Sequence, residues 1–65
     1  AWAAPLLEPM LNDPEGHVRK NAALSLMKLQ ATASRPALDT RLSQEDQTDV
    51  QAVLKLAINQ LDQAG

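Results

Sequence analysis

The side chains of this chain that could do chemistry are few: one imidazole, His17; three serines, Ser25, Ser34 and Ser43; and a group of carboxylates, Glu45, Asp46 and Asp49. A single imidazole in a chain without cysteine, with no carboxylate at metal-binding spacing, does not make a zinc site. Beside Gly16 and near a helix start, His17 reads as a solvated first-turn residue. No serine has a base close to it in sequence, so none reads as an activated nucleophile, and helix packing and capping account for all three. Glu45, Asp46 and Asp49 fall where a helix would begin; the positive end of the helix dipole alone explains them, a cation site being the sharper alternative. The two glycines, Gly16 and Gly65, stand too far apart for a phosphate-cradling loop. No catalytic residue, cofactor site or metal site is expected, and the chain reads as no enzyme.

The elements that position these residues are helices. Val and Ile total four, Phe and Tyr are absent, and Ala, Leu, Gln, Lys and Glu dominate, so propensity predicts an all-α chain. Helices are predicted near 4–12, 14–31, 35–43 and 44–63. Pro5 suits an opening turn, whereas Pro9 predicts a kink or a late start, because a proline inside a helix removes a hydrogen bond and clashes with the preceding turn. Asp13 as N-cap, Pro14 at the first helical position and Glu15 at the positive helix end predict the second start. Val18, Ala22, Ser25, Leu26 and Leu29 form its apolar stripe. Ser34 or Arg35 ahead of Pro36 opens a short third helix carrying Leu38 and Leu42. Ser43 and Asp46 resemble a capping box, which starts the last helix near Gln44. Its apolar residues are Val50, Val53, Leu54, Ala57, Ile58 and Leu61.

The apolar positions repeat at an offset of 32. Leu6, Met10, Val18, Ala22, Leu26 and Leu29 stand in step with Leu38, Leu42, Val50, Leu54, Ile58 and Leu61. Self-similarity at a period of 20–50 residues is the mark of a solenoid of stacked supersecondary units, which generally bind along their length. A chain of 65 residues supports one small core. The expectation is a single domain over 1–65 made of two helical hairpins, repeat one about 4–31 and repeat two about 35–63. Because such arrays want about three units, and because the chain opens Ala1-Trp2 without Met, it reads as a piece of a longer protein.

The stretch Leu11-Asn12-Asp13-Pro14-Glu15-Gly16-His17-Val18-Arg19-Lys20-Asn21-Ala22-Ala23-Leu24-Ser25-Leu26 resembles the HEAT repeat, in the short bacterial variety related to phycobilisome lyases. The resemblance rests on an apolar first helix, Asp-Pro near the turn, then Val-Arg and spaced small residues on the second helix. The second repeat keeps the apolar frame but carries Glu45-Asp46 for Asp13-Pro14, Gln51 for Arg19 and Leu54 for Ala22. Tetratricopeptide and ankyrin strings are absent. The resemblance implies an α-α superhelix, a HEAT-like solenoid fragment that presents one helix of each pair on a concave face. It also implies that Asp13 and Arg19 belong to an inter-repeat ladder. Loss of the Arg in repeat two fits a terminal repeat. The paired His-Glu dipeptides of a HEAT-fold hydroxylase family are absent.

Six basic and eight acidic residues, interspersed, give a formal charge of −2 and no basic stripe, which argues against nucleic acid. No apolar run reaches the roughly 20 residues that span a bilayer. The missing cysteines leave the compartment open, with the cytoplasm as default. A non-catalytic protein–protein interaction scaffold is therefore expected, with an accessory module of a larger enzyme or lyase-type assembly as the alternative and a nucleic-acid-binding module behind it. On a helical projection Leu24 and Met27 fall away from the stripe, facing an adjoining repeat or a partner. With Lys20 and Lys28 they are the candidate partner-binding residues, suited to an acidic peptide or protein surface. Trp2 is expected to seal the first repeat.

Overall fold

The computed structural model describes residues 4–64, with side chains described over 6–63, so the expectation for Trp2 lies outside it. The first helix, α1, is a single turn, Ala4–Leu7, followed by a 3-10 segment over Glu8–Asn12. Pro9 is the physical reason: without an N–H it cannot continue the α ladder, and the chain tightens instead. Next come α2 (Gly16–Lys28), a 3-10 turn (Thr32–Ser34), α3 (Arg35–Gln44) and α4 (Thr48–Ala64). Among the described residues the fold is all-α, as its propensities predict.

Three of the expected boundaries move: α2 starts at Gly16 rather than at 14 and ends at Lys28 rather than near 31, and the last helix starts late. Glu15, in extended conformation, precedes α2; Asp13 does not cap the helix directly but accepts the Glu15 N–H through Oδ1 at 2.8 Å, folding the turn one step earlier. The last helix starts at Thr48 rather than near Gln44, which is the final residue of α3. Ser43 therefore caps nothing at α4, and its hydroxyl donates back to the Thr40 carbonyl at 2.7 Å. The residues between the helices, beginning with extended Glu45, are spent on reaching α2. At the other end, α2 closes in a Schellman motif. Gln30 takes φ 53°, its N–H donates to the Met27 carbonyl at 3.0 Å, and Ala31 N–H donates to Leu26 at 3.1 Å.

The packing follows the repeat. Arg19 and Lys20 near the start of α2 meet Glu45 and Asp49 at the start of α4, while Met27 and Lys28 share a groove with Leu56 and Gln60 further along. These two helices thus run side by side in the same direction and form the most extensive contact in the fold. Arg35 at the start of α3 pairs with Asp62 at the end of α4, which makes the second hairpin antiparallel. Glu8 bonds to Ser34 and Asn12 to Arg41, so the first helical segment and α3 also lie in step. Leu11, Ala22, Ala23, Leu26, Leu38, Val50, Leu54, Ala57, Ile58 and Leu61 share one core. Of the expected stripe on α2, Ala22 and Leu26 are buried, Val18 and Ser25 half-buried, and Leu29 exposed. Leu29 misses the core because α2 has already begun its closing turn there.

Candidate functional site

At the turn end of the α2–α4 seam, the Arg19 guanidinium forks onto Glu45, Nε to Oε1 at 2.7 Å and Nη2 to Oε2 at 2.9 Å, with both side chains buried. Its Nη1 donates to the Asp13 carbonyl at 2.7 Å. Glu45 also accepts the Gln47 N–H at 3.1 Å, and Arg41 Nε lies 3.3 Å from Oε1. Burial pushes the Glu45 carboxyl up, but the hydrogen bonds from Arg19 and the Gln47 N–H, with the charges of Arg19 and Arg41, outweigh it and hold the group below the ordinary glutamate range.

This is the inter-repeat ladder implied by the resemblance: Arg19 of the first repeat reaches Glu45, the residue thirty-two positions on from Asp13 and its counterpart in the second repeat. Helix-dipole stabilisation is therefore not what explains Glu45. Asp49, too, has a specific partner: Lys20 Nζ donates to Oδ2 at 3.0 Å, and this bond holds the Asp49 carboxyl below its ordinary value. Among the described residues no group of three or more potential metal ligands comes together. The local geometry repeats as well. Glu15 N–H to Asp13 is matched by Gln47 N–H to Glu45, and Arg19 to the Asp13 carbonyl by Gln51 Nε2 to the Glu45 carbonyl at 2.6 Å. Gln51 thus keeps the bond inside its own hairpin, while its carboxamide carries no charge for a further carboxylate.

The four candidate residues on α2 are placed as follows. Lys20 is half-buried and tied to Asp49. Leu24 is half-buried along the same side. Met27 packs partly against the core, and it borders the open end of the seam together with exposed Lys28. There a groove of about 530 Å³ is lined by Met27, Lys28, Gln30, Leu56, Gln60 and their neighbours. Leu56, exposed on α4, was missed in the sequence, although it stands thirty-two positions after Leu24 and the repeat offset was the signal that could have found it. His17 is exposed, its Nδ1 3.5 Å from Glu15 in the first turn of α2. Ser34 is buried and donates to Glu8 Oε2 at 2.6 Å, tying the hairpins together. Among the described residues no helix is long and apolar enough to cross a membrane.

Similarity to known proteins agrees with this geometry. The family model for HEAT repeats matches residues 2–59. The bilin biosynthesis protein MpeU of Synechococcus sp. (strain WH8020) is 47% identical over 55 residues, which make up 85% of this chain and 18% of that protein. The chain thus spans less than a fifth of the length of that relative. No solved structure matches. With the family match covering most of its length and a buried Arg–Glu rung joining two hairpins of one template, the chain belongs to the HEAT repeat family.

Proposed function

We propose that this chain is a non-catalytic protein-interaction scaffold that takes an acidic peptide or protein surface along α2 and the adjoining side of α4. The observation that supports this reading most is the groove at the open end of the seam, where adaptable Met27 and exposed Leu56 stand beside the charge of Lys28. An apolar centre with a polar rim is the usual anatomy of a protein interface. Leu24 extends the apolar line towards the turn end, and Lys20 supplies a second charge if a partner carboxylate displaces Asp49.

Titration with an acidic amphipathic helical peptide tests it. Leu24→Ser combined with Lys28→Glu should weaken binding at least tenfold while helical circular dichroism and the thermal melt stay near those of the parent. These two positions are cleaner than Met27, whose side chain also contacts the core. Undiminished binding by the double variant sinks the proposal. A second reading, an accessory module of a larger bilin-related enzyme or lyase-type assembly, is favoured by the likeness to the bilin biosynthesis protein. A change in the visible absorption of an added bilin on mixing with this chain would move that reading to first place.

A further inference from the structure

Among the described residues most of the cations are already paired. Arg19 and Arg41 face Glu45, Lys20 bonds to Asp49, and Arg35 bonds to Asp62. Lys28 and Lys55 have no carboxylate at ion-pair distance, and of these two it is Lys28 that lines the groove at the open end of the α2–α4 seam. The groove is graded along its length. On α4, Leu56, Gln60 and Gln63 stand at i, i+4 and i+7, one face of the helix, and on α2 Met27 is followed by Lys28 and, past the helix end, by Gln30. Apolar walls therefore give way, towards the open end, to one ammonium and three carboxamides.

Such a place suits one negative charge and not many. The helices α2 and α4 run in the same direction, so both bring the negative ends of their dipoles here. On α2 the closing carbonyls of Ser25, Leu26 and Met27 accept the N–H groups of Leu29, Ala31 and Gln30, which blunts that end without reversing its sign. A run of carboxylates would set a single free ammonium against two negative dipole ends. One carboxylate, in contrast, is matched by Lys28 and by the neutral donors of Gln30, Gln60 and Gln63, whose amide oxygens can accept a peptide N–H in turn.

At about 530 Å³ the groove has the size of a cleft for a small ligand rather than of a track for a whole helix. Half-buried Leu24 continues its apolar line up the seam, so the ligand extends beyond the cleft in that direction. In the other direction α2 turns away directly after Lys28, and a peptide running down the seam loses one wall there. The geometry points to the free C-terminus of a partner chain as the ligand. Its last side chain, an apolar one, lies between Met27 and Leu56; its α-carboxylate takes the Lys28 ammonium; and the carboxamides bond the second carboxylate oxygen and the last N–H. This narrows the acidic partner proposed above to a single carboxylate, and it rests on that reading of the groove.

Fluorescence anisotropy with labelled peptides tests it: an otherwise uncharged peptide ending in Leu as the free acid, the same peptide as its C-terminal amide, and the acidic amphipathic helical peptide with an amidated end. Amidation of the Leu-ended peptide should weaken binding about tenfold or more, the worth of one charge-assisted contact. Lys28→Met, which keeps the stem and removes the charge, should bring the free acid down to the affinity of the amide and leave the amide unaffected. Gln63→Ala should do so in part. Both side chains are exposed, so helical circular dichroism should hold in both variants. Equal binding of acid and amide overturns the inference, as does an amidated peptide with an internal Glu that binds as well as the free acid, or N-acetyl-leucine that competes at the same concentration as the peptide. Binding of the amidated acidic helix without binding of the Leu-ended acid would overturn the C-terminal assignment and leave the scaffold reading standing; binding of neither overturns both.

Discussion

At the turn end of the α2–α4 seam, an arginine and a carboxylate meet out of water, with two further hydrogen bonds and a second arginine around them. At the opposite end, Arg35 and Asp62 form the same kind of pair in the open, Nη2 to Oδ2 at 3.2 Å, and the seam parts into the groove beside Met27 and Leu56. The same two residue types thus do different work. Taken out of water, the pair fixes the register of two hairpins, because any slip leaves a buried charge without its partner. Left in water, it can break and reform at small cost, and the helix ends around it keep room to admit something else.

The largest effect is expected at the closed end. Glu45→Ala leaves Arg19 buried without its carboxylate, and breaking a buried pair in this way costs on the order of 3–5 kcal/mol, enough to unfold much of so small a domain. Urea titration followed by circular dichroism measures it, and a loss no larger than that of an exposed substitution would erase the contrast between the two ends. Acid acts on the same rung. Because the folded state holds Glu45 below its ordinary range, the stability it supplies is complete above the unfolded glutamate pKa and is lost as pH falls through the lower, folded value. Asp49 and Asp62, also depressed, add to the same limb. Glu45→Gln should flatten the stability-against-pH curve below the ordinary glutamate range more than Asp62→Asn does, and equal slopes would contradict the ranking.

The closed end was also the less legible of the two in sequence. The 32-residue offset, the all-α class and the role of Arg19 in a ladder follow from spacing and from the family pattern. The same offset sets Glu45 in the place of Asp13, yet Glu45 sits in a run with Asp46 and Asp49 that a helix dipole accounts for equally well, so the sequence alone does not single it out as the partner of Arg19. Recognising Glu45 required knowing that it leaves the helix altogether: it is extended, and α4 begins only at Thr48. Leu29 departs from the sequence pattern for the converse reason, since periodicity extends a stripe past the point where the backbone turns away. The open end was half legible. The helical projection singles out Met27 together with Leu24, and Lys28 joins them for its charge; Leu56 is reachable through the repeat offset, whereas Gln30 enters only when two helices are placed side by side.

Gln30 sharpens the contrast at the open end with a smaller effect. It holds the left-handed conformation at the close of α2, which glycine adopts without the steric cost of a Cβ. Gln30→Gly should stabilise the chain by about 0.5–1 kcal/mol, the strain relieved being partly offset by the greater freedom of glycine in the unfolded chain. Since Gln30 also borders the groove, the same substitution should weaken acidic-peptide binding as it raises the melt. A stabilised variant with undiminished binding would show that the amide is not part of the contact.

Asp62→Ala carries the smallest effect and the sharpest test of the two-ends argument. Arg35 donates to both Asp62 carboxylate oxygens, and this hydrogen bonding, with its charge and against the desolvation penalty, holds the Asp62 carboxyl below its ordinary value. Yet both side chains remain substantially in water, where Coulomb attraction is weak, side-chain entropy opposes it, and salt at 1 M shortens the screening length to about 3 Å. The change in melting temperature should therefore be a small fraction of that for Glu45→Ala, and it should vanish in high salt. The Glu45→Ala loss should persist there, because ions do not enter the buried rung. A large, salt-insensitive loss for Asp62→Ala would mean that the outer pair also holds the register, and the groove beside it would then have to be treated as a closed seam rather than an open one.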